Sequence, residues 1–298
     1  MNLLLLGKTG QVGFELHRTL SPLGKITAPG REELDLMDEK AVTDFLVATN
    51  PSMIVNAAAW TAVDAAEQQQ AEAERLNTGL PEQLAHYAAT SNARLVHYSS
   101  DYVYPGDGEK PWQENSPTGP LSHYGKTKLE GDEAIKQSGA NYLIFRTSWV
   151  YSARGNNFMK TMLRLAESKP ELNIVADQIG APTPARLIAQ VTALAIHSKL
   201  ETGLYHLAPT GETSWQGFAR EIFGLAGKST KANPIPTSDY PTPAKRPLNS
   251  RMDVTKLQGA LNIQLPDWQS QLELTLNELN QQIFQDAFDT STMRISRP

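Results

Sequence analysis

The segment "SHYGKTKLEG", residues 122–131, places a tyrosine and a lysine four positions apart, at Tyr124 and Lys128. Residues with this spacing share one face of a helix, so both side chains can enter a single site. A phenol with an ordinary pKa of about 10 is a poor acid or base at neutral pH. Because a neighbouring ammonium group stabilises a phenolate, we expect Lys128 to lower the pKa of Tyr124 and fit it for proton transfer.

Hydroxyl groups in a second segment can complete such a site. The stretch "VHYSSDYVY" ends a predicted strand with Ser99, Ser100 and Asp101. In open α/β sheets, ligands bind at the carboxyl ends of the parallel strands. A serine hydroxyl at that edge can bond the same substrate oxygen as the tyrosine. By position alone, either serine fits this role.

A third motif is rich in glycine and lies at the start of the chain. Gly7, Gly10 and Gly13 follow the apolar run "NLLLL" and open a predicted helix. This G-x-x-G-x-x-G spacing is related to the dinucleotide fingerprint, in which glycines let the backbone and a helix N-terminus approach a pyrophosphate. The motif predicts a dinucleotide cofactor.

The end of the next predicted strand indicates which dinucleotide is bound. In "ITAPGREELDL" positions 28–30 contain no carboxylate, and Arg31 is the first charged side chain. An acidic residue there would bind a ribose 2′-hydroxyl, whereas an arginine admits a 2′-phosphate. The sequence therefore favours NADP(H). Glu32 and Glu33 follow at once and can accept ribose hydroxyls, so NAD(H) remains a second cofactor.

The elements that must position these groups alternate along the first half of the chain. Predicted strands cover residues 2–6, 25–28, 53–59, 94–100 and 142–150. Predicted helices cover residues 11–20, 38–49, 65–72, 80–91 and 122–138. This alternation is typical of βαβ units, and it predicts an α/β fold with a doubly wound parallel sheet of the Rossmann type.

The pattern changes after residue 150, which indicates a smaller C-terminal α/β substrate domain. Its predicted elements are helices at 156–169 and 185–200, a strand followed by a loop at 172–183, and a proline-rich binding loop at 233–247 that cannot hold regular helix. We expect a cofactor domain at 1–150 with about 177–208 packing back on it, and a substrate domain from 151–176 and 209–298.

Composition excludes several classes of function. The chain has 298 residues, of which 40% are hydrophobic and 20% charged, and a net charge of −5 that argues against nucleic-acid binding. It has no cysteine, which excludes thiolate catalysis and Cys-ligated zinc. "MNLLLL" lacks the basic region of a signal peptide, and no apolar run is long enough to cross a membrane. We expect a cytoplasmic protein.

The Ser–Tyr-x-x-x-Lys set behind the glycine motif resembles the extended short-chain dehydrogenase/reductase superfamily. Within it, several segments closely resemble the dTDP-4-dehydrorhamnose reductases over about residues 1–258. They are "GKTGQVG", "VNAAAWTAVDAAE", "HYSSDYVYPGDGEKPWQE", "YGKTKLEGDEA", "FRTSWVYSARGNNFMKTML", "DQIGAPT" and "YPTPAKRPLNSRM". The resemblance implies NADPH-dependent reduction of the C4 ketone of dTDP-4-dehydro-6-deoxy-L-mannose. That reaction is the last step of dTDP-L-rhamnose synthesis, which serves cell-surface polysaccharides.

The resemblance also implies residue roles. The family's strand motif is usually Ser-Thr-Asp with a catalytic threonine, and Ser100 keeps the hydroxyl at that position. The implied catalytic set is Ser100, the proton donor Tyr124, and Lys128, which also holds the nicotinamide ribose. The implied cofactor-binding residues are Gly7, Thr9, Gly10, Gln11, Val12, Gly13, Arg31, Asp35, Leu36, Ala57, Ala58, Ala59, Tyr124 and Lys128. The implied substrate-binding residues are Val63, Ser100, Asp101, Tyr124, Trp149 and Arg246, the last at the nucleotide diphosphate.

Several alternatives stay open at this point. Trp149 equally fits a buried core position, and His97 is interpreted as a core histidine. Some family members bind Mg²⁺ through C-terminal carboxylates, but an often acidic position lies within Pro184-Ala185-Arg186 here, so we expect no metal.

Other functions on the same fold are an NDP-sugar epimerase, a 4,6-dehydratase, and a non-catalytic subunit resembling the regulatory subunit of methionine adenosyltransferase. A dehydratase would need a glutamate where Tyr102 follows Asp101. The partners we expect are a small-molecule sugar nucleotide and, in a homodimer, a second copy of the chain.

Overall fold

Twelve strands organise the described part of the chain, and six of them form one parallel sheet. In this computed structural model the backbone is described for residues 1–295 and the side chains for residues 1–281. The strands are β1 (Asn2–Leu6), β2 (Lys25–Thr27), β3 (Met53–Asn56), β4 (Arg94–Ser100), β5 (Asn141–Thr147), β6 (Val150–Tyr151), β7 (Glu171–Val175), β8 (Ile179–Gly180), β9 (Thr183–Pro184), β10 (Gly203–His206), β11 (Thr213–Ser214) and β12 (Lys231–Ile235).

The large sheet has the order β10-β5-β4-β3-β1-β2, and every neighbouring pair is parallel. The direction of strand addition reverses between β1 and β3. In such sheets the ligand crevice lies outside the carboxyl ends of the strands at the reversal. The predicted doubly wound Rossmann-type sheet is confirmed, and the glycine motif lies at its switch point.

Within residues 1–295, ten α-helices cover the faces of this sheet or build the C-terminal part. They are α1 (Gln11–Thr19), α2 (Glu39–Thr49), α3 (Gln70–Glu74), α4 (Leu80–Ser91), α5 (His123–Gln137), α6 (Phe158–Ala166), α7 (Ala185–His197), α8 (Trp215–Leu225), α9 (Thr255–Leu261) and α10 (Trp268–Ile295). Asp38 accepts a hydrogen bond from Ala41 N at the start of α2, and Ser122 does the same for Gly125 N at α5. These caps satisfy N–H groups that a helix start leaves unpaired.

The central sheet is apolar on both faces because side chains alternate along each strand. Leu3 and Leu5 pack toward α1 and α7, whereas Leu4 and Leu6 pack toward α2 and α4. A third cluster lies in the C-terminal part, between β7, α6, α8 and α10, with Phe218 fully buried at its centre. The apolar sequence of β1 is thus explained by burial on both sides.

Some element boundaries differ from the sequence-based expectations. The predicted strand 53–59 ends at Asn56, and 142–150 is interrupted by Trp149, whose φ of 50° is left-handed. The predicted helix 65–72 is divided into a 3₁₀ turn, α3 and a π-helical turn at 75–79. The proline-rich segment contributes β12 and a 3₁₀ turn rather than loop alone.

The C-terminal part contains three short strand pairs, β7 with β12, β8 with β11 and β6 with β9. β10 adds to the edge of the large sheet, and α7 packs along α1. The division into a cofactor domain and a substrate domain stays a prediction. Among the described residues, no helix combines the length and apolar character that crossing a bilayer requires.

Candidate active site

The glycine loop between β1 and α1 has the shape that a bound pyrophosphate needs. Gly7 has a φ of 85°, and a Cβ there would lie 2.7 Å from the backbone of Ala57 and Ala58. A Cβ on Gly13 would collide with the Gly7 carbonyl oxygen. The first turn of α1 has no side-chain cap and no acidic residue. Its backbone N–H groups and the positive end of its dipole can therefore receive an anion, which fits a dinucleotide.

Two cations and one carboxylate gather where β2 ends. Lys8 Nζ donates to Ala28 O at 2.6 Å and to Glu33 Oε2 at 3.2 Å, and Gly30 N donates to the same carboxylate at 2.5 Å. The Gly30 N–H group and Lys8 hold the pKa of Glu33 below its ordinary value. Arg31 is exposed beside them. Lys8 was not singled out from the sequence, although its place inside the glycine motif marks it as close to the cofactor loop.

The remaining predicted cofactor residues lie around the same crevice. Asp35 caps a turn by accepting from Met37 N at 2.9 Å, and Leu36 is half-buried beside the second core cluster. Gln11 accepts from Ser152 and Asn157, which join α1 to the C-terminal part. The other predicted cofactor residues are the exposed Thr9 and the partly or fully buried Val12, Ala57, Ala58 and Ala59.

Tyr124 lies in the first turn of α5, where the Ser122 cap fixes the entry of the chain. Its ring packs edge-on against Tyr102 with centroids 5.5 Å apart. Burial raises the pKa of Tyr124 above its ordinary value, while the nearby Ser100 hydroxyl acts in the opposite direction. Our expectation that Lys128 would lower this pKa is wrong for the protein as described, because desolvation of the phenolate outweighs every neighbouring charge.

The two serines at the end of β4 face different surroundings. Ser99 Oγ donates to Asp132 at 2.9 Å, away from the crevice. Ser100 Oγ lies near Tyr124, donates to Asp101 Oδ1 at 3.1 Å and accepts from Tyr102 N at 3.2 Å. Successive strand residues point to opposite faces, so only one serine can reach the substrate side.

Lys128 lies one helical turn below Tyr124 and is almost fully buried. Its Nζ donates to Tyr98 O at 2.7 Å and lies 3.3 Å from His97 Nε2. Burial lowers the pKa of Lys128 to about 8, and Asp132 acts in the opposite direction. His97 is a buried core histidine, as its position on the strand predicted.

A buried ion pair supports this lysine, and sequence analysis missed it. Asp132 Oδ2 accepts from Arg146 Nε and Nη2, both at 3.0 Å, and both side chains are almost fully buried. Arg146 Nη1 donates to Tyr104 Oη at 2.8 Å. Asp132 follows Lys128 by four residues, so the same helical spacing that singled out Tyr124 and Lys128 would have found it.

Arg246 lies at the wall of a cleft beside the crevice. Its Nη2 donates to Asp64 Oδ2 at 2.7 Å, and Asp64 Oδ1 accepts from Ala244 N at 3.2 Å. Arg246 also lowers the pKa of Tyr102, but burial prevails and raises it to about 12. The half-buried Val63 precedes this aspartate. The sequence predicted Arg246 in the site but not its ion pair with Asp64.

The cleft has a volume of about 520 Å³. It lies between the loop that follows β4 and the proline-rich segment. Its walls include Gly106, Leu121, Asp177, Tyr240, Arg246 and Leu248. Exposed side chains such as Tyr240 and Leu248, with the cations Lys245 and Arg246, suit a ligand with a flat ring and an anionic group.

Trp149 lies at the junction of β5 and β6 and is only partly buried. Its left-handed backbone turns the indole onto Trp215, with ring centroids 3.7 Å apart and planes 15° from parallel. A non-glycine residue in this conformation costs about 1–3 kcal/mol and is typical of ligand sites. Trp215, at the start of α8, was missed because only the tertiary fold brings it here.

Among the described side chains, no group of three or more potential ligands is placed to hold a metal ion. At the position after "APT", Arg186 donates to Glu278 at 2.8 Å and to Glu15 at 3.4 Å. A guanidinium therefore neutralises these two carboxylates.

Comparison with known proteins agrees with this geometry. The family model described as RmlD substrate binding domain matches residues 1–281. The dTDP-4-dehydrorhamnose reductase of Escherichia coli strain K12 is 46% identical over 293 residues, which cover 94% of this chain and 98% of the relative. The chain belongs to the dTDP-4-dehydrorhamnose reductase family. The resemblance read from the motifs is confirmed.

Two solved structures of the family are similar in fold. A dTDP-4-dehydrorhamnose reductase of Clostridium acetobutylicum has a TM-score of 0.89 at 36% identity, with 94% of this chain and all of that chain covered. One of Bacillus anthracis, solved in complex with NADP, has a TM-score of 0.88 at 34% identity, with 93% and 99% covered.

The buried carboxyl of Asp101 yields a prediction about pH and stability. Burial raises the pKa of Asp101 to about 6, against the Ser250 and Ser100 hydroxyls. The folded state therefore binds this proton more tightly than the unfolded chain, whose aspartate has a pKa of about 4. The stability that protonated Asp101 contributes is full below about pH 4 and is lost as the pH rises through 6. Asp101→Asn should raise the free energy of unfolding by about 1–3 kcal/mol at pH 7.5 and little at pH 4.

Urea denaturation at the two pH values measures this difference. The exposed Asp44→Asn is the matched control, because its pair with Lys40 is fully on the surface. An equal effect of Asp101→Asn at both pH values would contradict the raised pKa.

Proposed function

We propose that this chain uses NADPH to reduce the C4 ketone of dTDP-4-dehydro-6-deoxy-L-mannose to dTDP-L-rhamnose. The observation that carries this proposal is Tyr124 beside Ser100 at the carboxyl end of β4, in a chain of the dTDP-4-dehydrorhamnose reductase family. The protein is an NADP-dependent oxidoreductase that acts in dTDP-rhamnose synthesis. We place it in the cytoplasm with its soluble substrates, and a homodimer stays a prediction.

The cofactor, when bound, supplies the hydride. The first turn of α1 and the glycine loop would hold its pyrophosphate, with Thr9 to Gly13 around it. Lys8 and Arg31 at the end of β2 would pair with the 2′-phosphate, while Asp35 and Leu36 would contact the adenine. Lys128 would hold the nicotinamide ribose. The open helix start and the glycine cradle fit this group.

Tyr124 acts as the general acid that protonates the new alkoxide. Its raised pKa keeps the phenol protonated at neutral pH, which a proton donor needs. Ser100 donates a second hydrogen bond to the same oxygen, which stabilises the charge that develops there. To do so its hydroxyl must turn from Asp101, to which it donates now.

The cleft provides the rest of substrate recognition. Asp64 accepts from only some of the N–H groups of the Arg246 guanidinium. The remaining N–H groups can bind a diphosphate, because planar guanidinium groups match phosphate oxygens. Trp149, held by its stack on Trp215, would pack against the sugar ring. Val63 and Asp101 would line the sugar on the opposite side.

The direct test measures NADPH oxidation with enzymatically generated dTDP-4-dehydro-6-deoxy-L-mannose and identifies dTDP-L-rhamnose as the product. The same assay with dTDP-glucose is the control for unspecific oxidation. An epimerised sugar nucleotide formed without NADPH consumption would instead assign an epimerase.

Tyr124→Phe should lower the turnover rate by about 10²–10⁴-fold and leave NADPH affinity nearly unchanged, because only the proton donor is lost. Ser100→Ala should cost less, since one of two donors to the oxygen remains. Ser99→Ala is the matched control for the neighbouring hydroxyl, which faces Asp132. Steady-state rates and cofactor titrations give both quantities. A Tyr124→Phe protein with more than half the original rate would refute this assignment.

Arg246→Ala should raise the KM for the sugar nucleotide far more than it lowers kcat. Bonds to a diphosphate act equally on ground and transition states, and such uniform binding appears in KM. Arg164→Ala, an exposed arginine on α6, controls for the loss of one positive charge. An unchanged KM for Arg246→Ala would remove this residue from the site.

NADPH should be preferred to NADH by about tenfold in kcat/KM. A charged hydrogen bond is worth about 1.5–3 kcal/mol, and ionised Glu33 beside the pocket reduces that gain. Arg31→Ala should erase most of the preference for NADPH. Lys8→Met measures how much the second cation, Lys8, contributes to that preference. The ratio of the two cofactors, measured with each variant, cancels losses in overall activity. Equal or better use of NADH by the unmodified protein would show that Arg31 does not bind the 2′-phosphate.

A further inference from the structure

A chain of buried hydrogen bonds joins the cofactor loop to Lys128. Ala58 N donates to Asn56 Oδ1 at 3.2 Å, and Asn56 Nδ2 lies 3.2 Å from His97 Nδ1. His97 Nε2 lies 3.3 Å from Lys128 Nζ. Asn56, His97 and Lys128 are 1%, 0% and 2% exposed, so no exchange with bulk water satisfies these groups. The sheet register places Asn56 directly opposite His97.

The direction of this chain follows from its first member. A backbone N–H group can only donate, so it assigns the carbonyl oxygen of Asn56 to Ala58 and turns the amide NH₂ toward His97. His97 Nδ1 must then accept, and a neutral imidazole carries its proton on the other nitrogen. Nε2–H therefore points at Lys128. An ammonium group has three donors and no acceptor, whereas a neutral amine has a lone pair.

We propose that Asn56 fixes His97 as the Nε2–H tautomer, and that His97 thereby presents a donor to Lys128 and favours the uncharged amine over the ammonium until ligands bind. Asn56 and His97 are thus positioning residues, because neither is placed to touch the reacting atoms. The role of this state in catalysis rests on the proposed function. The protonation states of His97 and Lys128 do not depend on that function.

The groups that surround Lys128 agree with this state. Asp132 favours a charged lysine, but its charge is already paired with the Arg146 guanidinium through Oδ2, which also accepts from Ser99, while Oδ1 accepts no hydrogen bond from any described residue. Tyr98 contributes only a carbonyl oxygen, which a neutral amine can also donate to. Burial lowers the pKa of His97 well below its ordinary value, so the imidazole is neutral. Burial likewise lowers the pKa of Lys128 to about 8, which weakens the charged form without abolishing it at neutral pH.

The reverse arrangement leaves buried donors facing each other. A charged Lys128 would need His97 Nε2 as acceptor, and the proton would move to Nδ1. Asn56 would then have to flip and point its NH₂ at the Ala58 N–H group. Each unsatisfied buried donor costs about 1–3 kcal/mol. Because a donor at His97 Nε2 opposes the ammonium form, Lys128 contributes less to lowering the pKa of Tyr124 until ligand oxygens and phosphates favour its protonation.

Long-range ¹⁵N–¹H correlation spectra of the full chain, labelled at histidine and recorded without cofactor, read the tautomers directly. We expect Nε2–H for His97. His206 is an internal control in the same spectrum, because its Nδ1 lies 3.1 Å from the Asp253 carbonyl oxygen and must carry the proton. His206 should therefore show the opposite tautomer, Nδ1–H. His97→Gln and His206→Gln assign the signals. Nδ1–H at His97 would overturn the proposal.

Asn56→Asp tests the direction of the chain. A carboxylate accepts from both Ala58 N–H and His97 Nδ1–H, so the tautomer should switch to Nδ1–H. The pKa of Lys128 should then rise by about one pH unit or more, because Nε2 becomes an acceptor for the ammonium. Titration of Lys128 in lysine-labelled protein, assigned with Lys128→Met, measures this change.

An unchanged tautomer in folded Asn56→Asp would overturn the role of Asn56. A Lys128 that titrates near the ordinary lysine value in the unmodified protein would overturn the uncharged state. If Asn56→Asp does not fold, the His97 tautomer and the Lys128 titration in the unmodified protein still decide whether the proposal holds. Neither depends on the substrate, so they can fail while the reductase activity stands, or succeed if that activity is absent.

Discussion

Three ionisable side chains buried beneath Tyr124 are the constraint on which the site depends. Lys128, Asp132 and Arg146 are all at most 2% exposed, and isolated charges at such positions would be very costly. Arg146 from β5 contacts Asp132 Oδ2 on α5 through two guanidinium nitrogens, and Ser99 adds a hydrogen bond from β4 to the same oxygen. Removing any one partner would leave another uncompensated, so helix and strands are held in one relative position.

That position determines the geometry of the reactive groups above it. Because α5 is held through Asp132, the tyrosine two turns earlier is placed beside the end of β4. Because Ser99 is engaged below, Ser100 is the hydroxyl on the upper side. This edge of the sheet is therefore fixed by buried polar contacts, whereas the neighbouring cleft presents exposed apolar and cationic groups.

The cofactor side depends on a different constraint, close approach of backbones. Gly7 and Gly13 lie where any Cβ would meet the Ala57–Ala58 loop or the Gly7 carbonyl. The same loop begins the hydrogen-bond chain through Asn56 and His97. A ligand that contacts both this loop and Lys128 would thus act on both ends of one polar network. Leaving any buried member of this network without a hydrogen-bond partner costs free energy.

The sequence by itself determined the fold class, the glycine cradle and the Tyr124–Lys128 pair. Each rests on local periodicity or spacing, since a helix repeat places i and i+4 together wherever the helix lies. Only the tertiary structure decided which serine faces the tyrosine, that Arg246 pairs with Asp64, and that Trp149 stacks on Trp215. It also reversed the expected pKa shift of Tyr124. These outcomes depend on strand register, burial and contacts between residues far apart in the chain, and no local pattern encodes how much water a folded site excludes.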